Sequence, residues 1–183
     1  MNKQFNKTGS RLANIIRTRK YYAVICRDDW GSSLFSPFGV SVVIPRKQVS
    51  TIWIGKNMRK ALTTSRDSQP WYGDGPIPQK DFEQTQRRSR EAEQKFWFGI
   101  RDEYAFKDHL AAMSKSALVF INWDYGETDQ IRLLASRGQG GGHSAWYEGE
   151  NQGKVFHVSI NASDEELGAV ALQALDACQP NYA

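Results

Sequence analysis

The chain is poor in cysteine and has no long hydrophobic run. Its 183 residues include two cysteines, Cys26 and Cys178, which are too few for a disulfide framework and too distant for a CxxC motif. We read both as reduced and buried. The longest uncharged stretch, 30–45, is broken by glycine, serine and proline, so no segment can span the roughly 30 Å of a bilayer core. The N-terminal segment lacks the apolar core of an export signal, and we expect a cytoplasmic protein without a transmembrane helix.

Residue patterns for catalysis, metal binding and cofactor binding are also missing. The three histidines, His109, His143 and His157, have no partner at zinc-ligand spacing. GHSAW at 142–146 lacks the second glycine of a nucleophile elbow, and GQGGG at 138–142 lacks the GK[ST] and the following helix of a phosphate loop. Adjacent acids at 28–29 and 102–103 point to different sides of a strand or helix. We therefore predict that the protein is not an enzyme and has no catalytic residue, metal or cofactor.

The composition is that of a folded α+β protein. Hydrophobic residues make up 40% of the chain, too many for a disordered protein. Predicted strands cover 21–27, 38–45, 117–123, 130–135 and 155–160, and predicted helices cover 54–65, 84–100, 106–113 and 163–178. We expect a single domain over 1–183, with a central mixed or largely antiparallel sheet covered by helices chiefly on one face. Residues 1–19 are expected to be a flexible N-terminal segment, and the proline- and glycine-rich residues 68–80 an internal surface loop.

Two segments of the chain resemble each other. IGKNMRKALTTS at 54–65 and LGAVALQALDAC at 167–178 align without a gap at an offset of 113, with three identities in twelve positions. Each segment follows a predicted strand. The match predicts two related strand-loop-helix units that pack their helices on one sheet, with chance similarity as the alternative.

The charge is unevenly distributed along the chain. The net charge is +4, but residues 1–67 hold 13 basic and 3 acidic side chains, whereas residues 110–183 hold 4 basic and 9 acidic ones. Such asymmetry indicates a charged partner, although solvated surface charge gives the same pattern. Nucleic acid is one alternative partner, because basic residues lie beside two tyrosines that could stack on bases. These residues are Arg11, Arg17, Arg19, Lys20, Tyr21, Tyr22, Arg46, Lys47, Lys56, Arg59 and Lys60.

The C-terminal two thirds of the chain carry a family resemblance. The succession DEYAFKDHLAAMSKSALVFINW, a hairpin, a loop with Trp146, VFHVSI and SDEELGAVALQALDAC resembles the CdiI-type immunity proteins of bacterial contact-dependent growth inhibition. FGVSVVIPR followed by IGKNMRKAL looks like the earlier strand and helix of that family, so the resemblance covers roughly 38–178. It implies a cytoplasmic protein that binds the C-terminal toxin domain of a CdiA-like effector, usually a nuclease, and neutralises it. The family pattern includes no catalytic residue.

An immunity protein of this kind acts by occluding its toxin in a complex that we expect to be one-to-one. Its function therefore depends on an interface of roughly 800 Å² per partner. We expect that interface in the acidic C-terminal part, where loops combine aromatic and acidic residues that could mimic a polyanion. The candidates are Trp123, Asp124, Tyr125, Glu127 and Asp129 on the hairpin, and Trp146, Tyr147, Glu148 and Glu150 in the following loop. Each tryptophan has core packing as its alternative use. The basic loop after Pro45 and the loop with Trp71 and Tyr72 are the next candidates.

Overall fold

The computed structural model describes residues 9–66, 79–147 and 149–181 of the chain, with side chains in the helix that begins at Gln79 described from residue 81 onward. A seven-stranded sheet forms the centre of the fold. Its strands are β1 (Ser10–Arg17), β2 (Tyr21–Asp29), β3 (Ser33–Phe35), β4 (Val42–Pro45), β5 (Ala117–Asp124), β6 (Gln130–Ala135) and β9 (Val155–Ser159). The order is β3-β2-β1-β5-β6-β9, with β4 also on β2, and every pairing is antiparallel.

Helices cover both faces of this sheet. Helices α1 (Thr51–Thr64) and α4 (Asp164–Asp176) pack on one face, and α2 (Gln79–Glu103) and α3 (His109–Met113) pack on the other. The expectation of helices chiefly on one face is therefore wrong, whereas the α+β class with a largely antiparallel sheet is confirmed. Double coverage explains why the first six residues of β2 are all buried, because a strand with helices on both sides has no solvent face.

Two units of the same design make up most of the fold. The first unit is β1, β2, β4 and α1, and the second unit is β5, β6, β9 and α4. In each unit a hairpin pairs with a third antiparallel strand, and a helix follows that strand. The central pair β1 and β5 joins the units. This arrangement contains the two strand-loop-helix units that the sequence offset predicts.

The two helices match each other position by position at the offset of 113. The buried residues Ile54, Gly55, Met58, Ala61 and Leu62 of α1 correspond to Leu167, Gly168, Ala171, Ala174 and Leu175 of α4. The N-caps correspond as well, because Ser50 accepts from Trp53 N at 3.1 Å and Ser163 accepts from Glu166 N at 3.1 Å. In α4 the Glu166 carboxylate also accepts from Ser163 N at 2.8 Å, which completes a capping box.

The glycines lie where the two helices cross. A Cβ added at Gly55 would lie 1.8 Å from the Asp164 carbonyl oxygen, and one added at Gly168 would lie 1.9 Å from the Thr51 carbonyl oxygen. Each glycine therefore contacts the backbone at the start of the other helix, which any larger residue would push away. The crossing is reciprocal, and it joins the two units through backbone contacts.

Several expected boundaries need correction. Residues 10–17 are not flexible, since β1 pairs along its whole length with β5. The strand expected at 38–45 is limited to 42–45, and the glycine run forms a small hairpin of β7 (Arg137–Gln139) and β8 (Gly142–Ser144). Helix α2 begins at Gln79, so the last two residues of the expected 68–80 loop are helical, and residues 68–78 lie outside the described part. No helix among the described residues is long and apolar enough to cross a membrane.

Candidate protein-interaction surfaces

The hairpin between β5 and β6 presents an exposed acidic turn, residues 124–129, called here the 124–129 turn. Asp124, Tyr125, Glu127 and Asp129 are all exposed, with Tyr125 49% accessible. The turn is held at its base, because Tyr125 N donates to the Gly9 carbonyl at 3.0 Å and Glu127 N donates to the Asp124 carbonyl at 3.1 Å. Four of the candidate interface residues therefore lie together on one short, positioned turn.

Asp129 fixes the far side of this turn. Its carboxylate accepts from Ser159 Oγ at 2.8 Å and from the Gln130 side-chain amide at 3.0 Å. These hydrogen bonds hold the pKa of the Asp129 carboxyl below its usual range. The turn consequently keeps this negative charge down to acidic pH. The same bonds tie it to β9, so Asp129 has a structural role beside any role in binding.

Trp123 has a mixed position. Its indole is partly buried against the core under α1 and α4, and its Nε1 donates to the Thr128 carbonyl at 2.8 Å. The ring also meets Tyr125 edge-on at 5.3 Å between centroids, and the Arg11 guanidinium lies 4.9 Å from the Tyr125 ring. Trp123 therefore supports the turn from behind, and Tyr125 is the aromatic side chain that a partner can reach.

A shallow groove of about 570 Å³ lies beside the 124–129 turn. Trp123, Glu127 and Asp129 line one side, and Arg59 and Asn161 line the other. Arg59 is engaged within the protein, because its guanidinium donates to the Ile160 and Ala162 carbonyls and to the Asp164 carboxylate. The groove gives the acidic turn a concave flank in which a partner's side chain can be accommodated.

The second group of candidates lies on the loop 145–150, which follows β8. Trp146 is partly buried under Lys154, whose Nζ lies 4.8 Å from the ring, and the Arg137 guanidinium lies 5.2 Å from the Tyr147 ring. Arg137 also approaches Glu150 at 3.9 Å. Glu150 is therefore partly compensated by a neighbouring cation, whereas the acidic side chains of the 124–129 turn form no ion pair with another described residue. Glu148 lies outside the described residues.

The structure does not bring the two groups of candidates together. Strand β6 runs from Gln130, next to the 124–129 turn, to Ala135, whose N donates to the Lys154 carbonyl at 2.9 Å. Six residues of strand separate the two ends by about 20 Å. The loop 145–150 thus lies at the opposite end of the sheet, and one compact patch cannot include both groups.

His143 explains how the β7–β8 hairpin is attached. Its ring nitrogens lie 2.9 Å from Ser116 Oγ and 3.1 Å from Ser136 Oγ, and both serines are buried. Asn181 joins this cluster by accepting from Ser116 N at 2.7 Å. Burial lowers the pKa of His143. A histidine that the sequence leaves without a partner is therefore an internal link between the hairpin, the sheet and the C-terminal segment.

The two tyrosines that could stack on bases in a nucleic-acid surface are buried. Tyr21 and Tyr22 are 0% and 6% accessible, and Tyr21 Oη donates to the Ala112 carbonyl at 2.5 Å. Neither ring can stack on a base. Arg17 is also engaged, with its guanidinium 2.6 Å from the Asp176 carboxylate. The basic residues near these tyrosines therefore do not form the aromatic, cationic platform that the sequence suggested.

Sequence reasoning missed one exposed aromatic residue. Phe38 was expected inside a strand, but it lies in the connection before β4 and is 59% accessible. The guanidinium of Arg66, the last described residue after α1, lies 4.6 Å from its ring. The turn-forming sequence SPFG around Phe38 is the signal that could have identified an exposed position.

The candidate residues that the structure describes lie at the surface of an α+β fold, on the β5–β6 hairpin and on the loop after β8. Among the described residues there is no group of histidine, cysteine and acidic side chains that could hold a metal ion. The model of the CDI immunity protein family, CdiI, matches residues 11–178. This chain therefore belongs to the CDI immunity protein family.

Solved structures share the fold at low sequence identity. A Neisseria meningitidis protein of unknown function is 18% identical, with a TM-score of 0.74 over 96% of this chain and 99% of that one. A CdiA-CT/CdiI toxin and immunity complex from Yersinia pseudotuberculosis contains a chain that is 20% identical, with a TM-score of 0.74 over 93% of this chain and 98% of that one. No curated protein matches the chain.

Proposed function

We propose that this protein binds the C-terminal toxin domain of a CdiA-like effector in the cytoplasm and neutralises it by stoichiometric occlusion. Membership in the CDI immunity protein family carries this proposal. The structural similarity to a chain of a toxin and immunity complex supports it. Function then depends on the affinity of one protein surface for another, and no substrate or cofactor has to be bound.

The acidic 124–129 turn supports a nuclease as the toxin. A nuclease must bind a polyanion, so its active-site cleft is commonly lined by cations. Asp124, Glu127 and Asp129 present three carboxylates on one turn, and exposed Tyr125 adds an aromatic side chain of the kind enriched at interface centres. The turn enters the cleft in place of the nucleic acid, and its charge accelerates association.

The first test measures binding and inhibition together. The protein is mixed with the toxin domain encoded immediately upstream of it, and the complex is analysed by co-purification and calorimetric titration. We expect a one-to-one complex with nanomolar or tighter affinity, equivalent to about 12 kcal/mol or more. Nuclease activity should fall linearly to zero at one equivalent. Absence of binding would contradict the proposal, and full binding with undiminished activity would contradict occlusion of the active site.

The second test separates the two ends of the sheet. Tyr125→Ala with Glu127→Lys changes the 124–129 turn, and Glu150→Lys makes the same charge change on the loop 145–150. We expect the turn variant to weaken toxin binding by about 100-fold, since it removes an aromatic anchor and reverses a charge. Glu150→Lys should bind like the wild type. The reverse result would move the interface to the loop 145–150.

A further inference from the structure

An exposed aromatic and cationic surface lies at the same end of the sheet as the 124–129 turn. It consists of Trp30, Phe38, Arg66 and Arg88 and is called here the Phe38 surface. These four residues border a cavity of about 260 Å³. On the other side of Phe38 and Arg88, a more open groove reaches Lys95. Phe38 therefore projects between two depressions that both have cationic edges.

The backbone beneath this surface is firmly held. Arg66 N donates to the Asp28 carboxylate at 2.8 Å, and the Arg66 carbonyl accepts from Asp29 N at 2.9 Å. Asp28 is 4% accessible, so its carboxylate lies beneath the surface. The Arg66 side chain is exposed and covers one face of Phe38. The guanidinium is thus presented from a fixed position.

The surface has an excess of positive charge. Within the described part of the chain, Arg66 and Arg88 take part in no ion pair, whereas neighbouring Arg87 approaches Glu91 at 4.0 Å. Glu93, also on α2, forms an ion pair with Arg27 at 3.0 Å. Asp28 and Glu91 also border the two depressions, where they face the three cations Arg66, Arg88 and Lys95. Positive charge is therefore in excess by one, and both guanidinium groups can form paired hydrogen bonds with a carboxylate.

The Phe38 surface is connected to the 124–129 turn through strand β1. Tyr125 packs under Arg11 on β1, and the next residue, Leu12, donates its N–H to Ser65 Oγ at 2.9 Å. Ser65 immediately precedes Arg66. The 124–129 turn and the Phe38 surface are therefore both attached to neighbouring positions of the same strand.

We propose that the Phe38 surface binds a carboxylate-bearing loop of the toxin domain, with an apolar side chain of that loop in the cavity beside Trp30. This inference rests on the proposed function and adds the origin of selectivity to it. The cavity is smaller than the roughly 300 to 1,000 Å³ of small-molecule sites and suits one or two side chains. Aromatic and arginine residues are the types that dominate binding energy at protein interfaces.

Opposite charges on adjacent surfaces make the combined site selective. An acidic turn alone attracts any nuclease with a cationic cleft. The Phe38 surface adds a requirement for an acidic loop beside that cleft, and a basic loop there meets like charge and is rejected. Selectivity therefore comes from repulsion of wrong partners as well as from attraction of the right one.

The experiment compares charge reversal at the Phe38 surface with charge reversal elsewhere on α2. Arg66→Glu with Arg88→Glu should raise the Kd for the upstream-encoded toxin domain by about 100-fold, and Phe38→Ala should raise it by about 10-fold. Arg90→Glu is the matched control, because Arg90 is exposed on the same helix but does not border the cavity. It should change the Kd less than about twofold. Thermal unfolding of each variant checks that the exposed substitutions leave the fold intact.

A charge exchange completes the test. Acidic residues of the toxin are changed to lysine one at a time, and at least one such change should restore binding to the Arg66→Glu, Arg88→Glu variant. Wild-type affinity in that variant, or an equal loss in Arg90→Glu, would overturn the inference while leaving the proposed function standing. The inference would also be overturned if the Arg66→Glu, Arg88→Glu variant bound the toxin normally but no longer bound a short single-stranded oligonucleotide that the wild type binds. That result would identify nucleic acid as the partner of the Phe38 surface. If the wild-type protein does not bind the toxin at all, the proposed function itself fails.

Discussion

The first and second units share one architecture and differ in what their hairpin turns present. Helix α1 of the first unit and helix α4 of the second match at an offset of 113 residues. They bury corresponding positions, and each has a glycine where the two helices cross. The β1–β2 turn carries exposed Arg19 and Lys20, whereas the β5–β6 turn carries exposed Glu127 and Asp129. Because β1 and β5 are antiparallel, the two turns lie at opposite ends of the sheet. The comparison separates the part of the chain that specifies the fold from the turns, whose exposed charges differ in sign.

The largest expected effect tests the equivalence of the two units. Gly55→Ala and Gly168→Ala should each lower the free energy of unfolding by about 3 kcal/mol, because the added Cβ meets backbone that cannot move aside cheaply. Denaturant unfolding measures both values. Gly99→Ala is the control, since a Cβ there meets no atom within 4 Å, and it should stabilise helix α2 by up to about 1 kcal/mol. A large loss in only one of the two crossing variants would show that the crossing is not reciprocal.

The next effect tests the difference between the turns. Glu127→Lys should slow association with the toxin by about 10-fold and reduce its dependence on salt, since the charge acts mainly on encounter. Arg19→Glu changes charge at the corresponding turn of the first unit and should leave the association rate unaltered. Stopped-flow mixing at two salt concentrations measures both rates. Equal slowing in the two variants would mean that net charge, and not the 124–129 turn, governs encounter.

The helix caps give a smaller contrast between the units. Ser163→Ala removes a reciprocal capping box and should cost about 1.5 kcal/mol, whereas Ser50→Ala removes a single cap hydrogen bond and should cost about 1 kcal/mol. Thermal or denaturant unfolding of the two variants measures the difference. Ser163→Asp, which keeps an acceptor at the cap, should recover most of the loss. Equal losses in the two alanine variants would assign no stability to the Glu166 hydrogen bond.

The smallest effect belongs to the β7–β8 hairpin, which is inserted between β6 and β9 of the second unit. Burial lowers the pKa of His143 in the folded protein, so the unfolded chain takes up its proton first as pH falls. The stability that neutral His143 contributes is present above about pH 6.5 and is lost below it. We expect a decrease in the free energy of unfolding between about pH 7.5 and about pH 5.5. The decrease should be smaller in His143→Gln, and an identical pH profile in that variant would contradict this account.

Local patterns predict the second unit well and the first unit less completely. The run ALVFINW, the capping box at Ser163 and the periodicity of α4 each specify their element through neighbours in sequence. Strand β1 was missed because SRLANIIR alternates only weakly, and its strand conformation depends on pairing with both β2 and β5. Coverage of both sheet faces was missed because α2 contacts the core mainly through late residues such as Trp97 and Ile100.

The candidate surfaces also show that local sequence patterns cannot predict features that depend on distant segments. The exposure of Tyr125, Glu127 and the neighbouring acids could be predicted because a short hairpin turn exposes its residues wherever the strands lie. The loop 145–150 has a similar composition, but Arg137 and Lys154 approach its aromatic rings and Glu150 from other segments. Phe38 and Arg66 are distant in sequence and meet only in the folded protein. A surface assembled from distant segments leaves no local pattern to recognise.

The 124–129 turn has a consequence for how this protein can change over generations. Its flanking strands are held in register by β1 on one side and β9 on the other, and Asp124, Tyr125, Gly126 and Glu127 are all exposed. Substitutions of Asp124, Tyr125 and Glu127 alter charge and shape without moving a core residue, whereas the φ of +89° at Gly126 favours glycine. The surface that we propose for toxin binding can therefore vary between related proteins while the scaffold stays unchanged.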